Sequence, residues 1–317
     1  MRGTWTKSDV VTVVLCAVAA VITAGAVSET GSEEAFRRTC AKNLSELGRA
    51  ALIYSNDYEG EFPKAGGLVN EWVPTIPNWA APTRKDAFAM TIDRTSGATV
   101  FPTGKTTTSS SLYLLVKYAE VEPGKFVCRS EPKTREFRLS DVKEPLPTNA
   151  EFIDFWDFGG RYDDENNPSR HVSYSYHMPF DRTALTVNHA AGMAILADRN
   201  PWIDPNRVND ANLGWARFME ASASGDPNRI RIGNSDTHRR DGQNVLFLDT
   251  HVAFQTRPTC GVNGDNIYTI SSTQSGPGKA SQIAPRVYDT SLRPAHEQDS
   301  VLVQDLPYVL HDAPAKN

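Results

Sequence analysis

The chain of 317 residues lacks every short signature that would name a reaction. It has no G-x-S-x-G nucleophile turn, no H-E-x-x-H zinc pair, no phosphate loop and no G-x-G-x-x-G dinucleotide fingerprint. It also lacks a basic tract: 33 Lys and Arg stand against 38 Asp and Glu, and the densest cationic points are the pairs Arg37-Arg38 and Arg239-Arg240. A net charge of -5 with no cationic stripe excludes a nucleic-acid footprint. Cysteine is scarce. Cys16, Cys40, Cys128 and Cys260 are the full set, no two at knuckle spacing, so a zinc finger is excluded. If the head faces an oxidising compartment, two of Cys40, Cys128 and Cys260 form one disulfide. Cys40 with Cys128 is the preferred pair, and the other pairings stay open.

What is present is an ordinary globular composition. Hydrophobic residues are 39% and charged ones 22%, and 20 Pro with 21 Gly point to many loops and modest helix content beyond the N-terminus.

The N-terminal stretch sets Asp9 against Val10–Val27, an uncharged run of eighteen residues, at the lower limit for spanning a bilayer core of about 30 Å. Arg2 and Lys7 precede it and Glu29, Glu33 and Glu34 come after it, so the expected topology is single-pass in an inner membrane, N-terminus cytoplasmic and head exported. Three readings compete: a signal peptide cleaved near Ala24-Gly25-Ala26, a plain anchor, and an assembly helix. Only the third gives the carboxylate of Asp9 a task.

Trp5-Thr6-Lys7-Ser8-Asp9-Val10-Val11 resembles the N-terminus of type IV prepilins and type II secretion pseudopilins, with an aromatic first mature residue, an acidic fifth residue and an apolar helix. The resemblance implies processing by a prepilin peptidase between Thr4 and Trp5, N-methylation, and a pair between Asp9 and the free amine of a neighbouring subunit. Thr4 stands where the family usually has Gly, and Asp9 where it usually has Glu.

From Phe36 the apolar positions Cys40, Leu44, Leu47, Ala51 and Tyr54 recur in steps of four and three, tracing one helical face. Thr30-Gly31-Ser32-Glu33 has the pattern of a capping box at the start of that helix. Arg37 to Pro63 also resembles the segment after the membrane helix in a group of pseudopilin-like proteins. Residues 64–111, rich in Pro, Gly, Thr and Ser, read as a long surface insertion. A short helix over Ser111–Tyr118 comes next, then a strand over Gly124–Pro132. His171–Phe180 alternates as a half-buried strand, Gly192–Trp202 reads as a central strand, and Val301–Leu310 as an edge strand.

The most informative stretch is Gly233–Phe254, where two β-rich runs flank Asp249-Thr250 as a tight hairpin. It resembles the signature hairpin of the same group, its pieces here being His238, Gly242, Asn244, Asp249, His251 and Val252. Thr250 replaces the usual Gly at a position that wants positive φ, so the turn is either strained or of another type. His238, Asp249 and His251 are suitable ligands for a divalent cation, the one cofactor considered. The alternative is that His238 and Asp249 tie the loop by hydrogen bonds. Ser235, His238 and Asp241 or Asp249 could be drawn as a hydrolase triad, although triads are tertiary arrangements and adjacency says little.

The expected fold is therefore α+β: a long N-terminal membrane-spanning α-helix packed against an antiparallel β-sheet head, as in pilins. The segments are 1–30 prepilin-like, 31–63 amphipathic helix, 64–270 head and 271–317 loop-rich tail. The expected function is structural and non-enzymatic, a pseudopilin-like subunit whose partners are the inner membrane, other pseudopilin subunits or secretion components, and a prepilin peptidase. The alternatives are a polysaccharide- or protein-binding module using Trp72, Trp79, Trp156 and Trp215, and a metal-dependent hydrolase.

Overall fold

A computed structural model describes residues 7–92, 102–132, 134–161, 166–180, 184–203, 225–271, 282–286, 288–289, 291 and 293–306, with the backbone alone for 7–30, 92, 229 and 282. Helix α1 runs from Lys7 to Asp57. It passes through Thr30–Glu33 without a break, so the expected helix start there is internal to a longer element. It ends where Glu59 and Gly60 turn left-handed, and the Gly60 N–H closes on the Ser55 carbonyl at 2.8 Å.

The predicted face of α1 is the one that packs. Cys40, Leu44, Leu47, Ala51 and Tyr54 are all buried. Gly48 lies so close to the sheet that a Cβ there would sit 2.8 Å from Leu246 Cδ1, which brings the helix axis onto the strands.

The surface beneath is a five-stranded sheet. Its strands are β4 (Tyr174–His177), β5 (Ala194–Asp198), β6 (Gln243–Phe247), β7 (Val252–Gln255) and β10 (Leu302–Val303), in the order β10-β4-β5-β6-β7 with every pair antiparallel. The uniformly apolar Ala194–Ala197 run is central, as its lack of alternation requires when both faces are covered. One face carries Leu196, Leu246, Tyr174 and Tyr176 into the core with α1, and the other carries Ala197, Val245 and Phe247 against Ile267 and Tyr268. Residues beyond 271, read as a loop-rich tail, supply β10 at the sheet edge.

Among the remaining elements are β1 (Val69–Trp72), α2 (Arg84–Ala87), β2 (Thr91–Ile92) and β3 (Pro102–Thr106), whose strands form a second sheet in the order β1-β3-β2. Helix α3 (Thr108–Ala119) and helix α4 (Pro227–Gly233) come later in the chain, and β8 (Ile270–Ser271) pairs with β9 (Gln282–Ile283).

The α+β class with an antiparallel sheet stands, but the membrane-spanning helix does not. Among the described residues no helix is long and apolar enough to cross a membrane. Where its side chains are described, α1 carries Glu33, Glu34, Arg37, Arg38, Lys42, Glu46, Arg49 and Asp57, and a charge at a bilayer centre costs about 2.5–3.5 kcal/mol or more. The apolar stripe between them is used against the sheet. The expected single-pass inner-membrane placement is corrected with it. Thr4 and Trp5 lie outside the described residues, as do the side chains of Asp9 and Val10–Val27.

Three further expectations change. Gly124–Pro132 is not a strand but carries a 3-10 turn, Pro123–Phe126, that delivers Cys128. The hydroxyl-rich end of the supposed surface insertion, Thr106–Ser111, is buried throughout. Several of its polar groups serve the start of α3, while the Thr106 and Thr108 hydroxyls are buried with no hydrogen-bond partner among the described residues. Thr107 caps the helix and its hydroxyl donates to Asp157 at 2.6 Å, while Asp305 accepts from the Thr108 and Ser109 N–H groups at 3.0 and 2.8 Å and from Trp72 Nε1 at 2.7 Å. Trp72, Trp79 and Trp156 are likewise buried, and Trp215 lies outside the described residues, so the tryptophans expected to bind a ligand are core side chains as far as they are described.

Burial pushes the Asp157 carboxyl up to about 8, opposed by the Thr107 hydroxyl and reinforced by the charge of Asp305. A carboxyl raised in the folded state binds its proton more tightly there than in the unfolded chain. Its contribution is complete below the unfolded value of about 3.9 and is lost as pH rises through about 8. Asp157→Asn should therefore flatten the fall in urea-unfolding stability between pH 4 and 8. An unchanged slope would remove Asp157 from that balance.

Candidate functional site

The His238 motif folds into the junction between α1 and the sheet. His238, Arg239 and Arg240 are all left-handed, with φ of 59°, 60° and 62°, a conformation that costs about 1–2 kcal/mol per L-residue. Fixed partners hold the turn. Arg231 donates to the Arg239 carbonyl at 3.1 Å, Asn234 Nδ2 to the Arg240 carbonyl at 3.1 Å, and the Asp241 N–H to the His238 carbonyl at 3.2 Å.

This turn drives the His238 ring into a closed pocket, where its side chain has no exposed surface. Nδ1 lies 2.5 Å from Glu33 Oε1 on α1 and donates to it. Nε2 faces Asn244 Nδ2 at 3.2 Å, Asp198 Oδ2 at 3.5 Å and Cys128 Sγ at 3.7 Å. Cys128 is joined to Cys40 of α1, the preferred pairing, across 88 residues of sequence. Ser130 donates to both oxygens of Glu33, at 3.1 and 3.3 Å. Just outside, Arg37 reaches Asp241 Oδ2 at 2.7 Å and lies over the Phe254 ring at 4.5 Å.

Asp198, at the end of β5, is the buried anion of the group. Burial raises its carboxyl to about 6, against the lowering effects of His238 and of the Asn244 N–H, which donates to Oδ2 at 2.7 Å. Its Oδ1 has no hydrogen-bond partner among the described residues. Asn244 thus bridges β6 to both His238 and Asp198. Gly242 has a steric reason: a Cβ there would lie 2.4 Å from the Gln255 carbonyl oxygen on β7.

The other half of the motif is elsewhere. Strand β6 separates His238 from Asp249 and His251, so the three proposed cation ligands do not meet. Asp249 Oδ1 and His251 Nδ1 pair with each other at 2.5 Å in exposed positions, and the His251 ring stacks on Phe247 at 4.4 Å. The hairpin is wider than a two-residue turn: Thr250 N–H bonds the Phe247 carbonyl and Phe247 N–H the His251 carbonyl, with Thr250 left-handed at φ 71°. This is a three-residue loop of the type I plus bulge kind, in which the last position favours Gly.

Ser235 makes no hydrogen bond to the His238 ring; its Oγ accepts from the Thr237 N–H at 3.3 Å. The ring's neighbours are Glu33, Asp198, Asn244 and Cys128, a tie between elements and not a nucleophile with its base. Of these partners, Asp198 carried no local signal in the sequence, Glu33 was read as a capping residue and Cys128 as half of a disulfide; only Asn244 lay inside the recognised stretch. Comparison with protein-family models, curated proteins and solved structures finds no match.

Two stability outcomes are expected. Closing 88 residues with one crosslink is worth about 4–5 kcal/mol by loop entropy, so a Cys40→Ala, Cys128→Ala double variant should lose that much in urea unfolding. Thr250→Gly should gain about 1 kcal/mol by relieving the left-handed β-branched residue, read as a higher melting temperature.

Proposed function

We propose that the chain is a non-enzymatic, pseudopilin-like structural subunit of a type II secretion or pilus-like assembly. The observation that supports this is the division of one 51-residue helix. From Glu33 onward α1 is fastened to the head by the His238 contact, the disulfide and the Cys40–Tyr54 face. Residues 7–32 continue the same helix for about 39 Å. A long helix whose C-terminal half is embedded in a head is the form that end-to-end subunit packing requires.

The alternative readings lose their carriers. A glycan- or protein-binding module was to use Trp72, Trp79 and Trp156, which are buried. A hydrolase at His238, Asp249 and His251 needs three groups that stand at opposite ends of β6. On the assembly reading, Asp9 pairs with the amine of a neighbouring Trp5 and fixes the stagger between subunits.

A photoreactive amino acid at Ala35, an exposed position of α1, tests the proposal in cells producing the full chain. The expected outcome is a ladder of crosslinks to itself or to secretion components, weakened about tenfold or more by Asp9→Ala, as removal of a buried charge partner does. Crosslinks absent at Ala35, or equal with and without Asp9, would overturn it.

A further inference from the structure

We propose that the pocket holding the disulfide is, in its dithiol form, a zinc site made by Cys40, Cys128 and His238 and completed by Asp198, whose carboxylate lies beside His238 but outside the tight cluster of the other three and closes in as the sulfurs part. Cys40 Sγ, Cys128 Sγ and His238 Nε2 lie within 4.8 Å of one another. Asp198 Oδ2 is 3.5 Å from Nε2, and Cys128 Sγ is 3.7 Å from it. With zinc bonds of about 2.0–2.3 Å, the edges of a tetrahedron of nitrogen, oxygen and sulfur donors run about 3.3–3.8 Å. Both of these separations already fit.

The two sulfurs are what differ between the forms. In the disulfide they are bonded to each other and carry no thiolate. An external dithiol supplies two electrons and two protons, the S–S bond breaks to give two thiols, and the reductant becomes a disulfide. Zinc then displaces the two thiol protons, and the sulfurs separate to the roughly 3.8 Å of a tetrahedral edge.

The surroundings are those of a ligand set. The Glu33 carboxylate on Nδ1 fixes the proton there and leaves the Nε2 lone pair facing the sulfurs, the carboxylate–histidine arrangement that orients metal-binding imidazoles. Asp198 is wholly buried, and its Oδ1 has no hydrogen-bond partner among the described residues. Asn244, now 3.2 Å from Nε2, is the group the metal displaces. Two thiolates, one imidazole and one carboxylate select zinc over calcium or magnesium, which take oxygen. This site shares His238 with the ligand set expected from the sequence but replaces both of its other members. It fastens α1 to the head in a reducing compartment, where the covalent tie is absent.

The test uses the full chain, oxidised and reduced, titrated anaerobically with cobalt(II) and then zinc. Reduced protein should bind one equivalent of cobalt with thiolate-to-metal absorption and tetrahedral ligand-field bands, and zinc should bleach them; the oxidised chain should show neither. Glu33→Gln and Asp198→Asn should each weaken cobalt binding by about 10- to 100-fold. No band from reduced chain, whether or not it remains folded, would overturn the site. Affinity unchanged in both variants would do so as well, since it would assign the metal to the thiols alone.

Discussion

The attachment of α1 to the sheet is the constraint on which the rest of the head depends. Leu44, Leu47, Ala51 and Tyr54 supply one wall of the largest core cluster, and Leu196, Leu246, Tyr174 and Tyr176 of the sheet have that wall as their cover. An antiparallel sheet with both faces apolar is stable only when each is covered. The disulfide and the His238 contact act at one end of this interface, and the close approach at Gly48 acts in its middle. Apolar packing supplies most of the attraction. The polar and covalent ties decide where along the helix it is applied, because an apolar stripe alone tolerates slippage by a turn.

The same division of labour recurs at α3. Its first turn is buried, so its free N–H groups need acceptors that no water can provide. Thr107 Oγ1 accepts from the Ser110 N–H and Asp305 from those of Thr108 and Ser109, while Asp157 holds the Thr107 hydroxyl; Asp305 comes from a segment nearly two hundred residues away. That carboxylate also receives Trp72 Nε1, so β1, α3 and the C-terminal segment share one anion. An unpaired buried polar group costs about 1–3 kcal/mol, so a docking of the C-terminal segment that withdrew Asp305 would leave three donors without it.

This separates what the sequence disclosed from what it hid. The helical face of α1 was legible because Cys40, Leu44, Leu47, Ala51 and Tyr54 keep a 3.6-residue period, a local property. The central position of Ala194–Asp198 was legible for a similar reason. Thr106–Ser111 was not, since six hydroxyl residues look like solvent-facing loop until their distant carboxylates are known. His238 and Asn244 stood out as a motif, but the partners that explain them, Glu33, Cys128 and Asp198, lie 205, 110 and 40 residues from His238 along the chain. Asp249 and His251 looked like part of the same site because they are near in sequence. Five strand residues between them and His238 put them at the other end of β6, where they serve an exposed turn. The apolar run before Glu29 pointed to a membrane helix, while the described part of α1 places its apolar surface against protein.

A helix fixed at one point can pivot; one fixed at several along its length cannot. Glu33, Arg37 and Cys40, on the first turns of α1 whose side chains are described, bind two separate segments: the His238–Asp241 turn and the stretch around Cys128. Asn43 adds a hydrogen bond to the Val127 carbonyl at 3.2 Å, and Lys125 an ion pair to Glu46 at 2.8 Å, one turn further on. Any force applied to residues 7–32 therefore reaches the sheet through a covalent bond and a buried carboxylate–imidazole contact, without loading the apolar face first. The left-handed run His238–Arg240 is consistent with that arrangement. Its strain of about 1–2 kcal/mol per residue persists because each of its three carbonyls has a donor and its imidazole has the Glu33 carboxylate, so relaxing the turn would release α1 at the same moment.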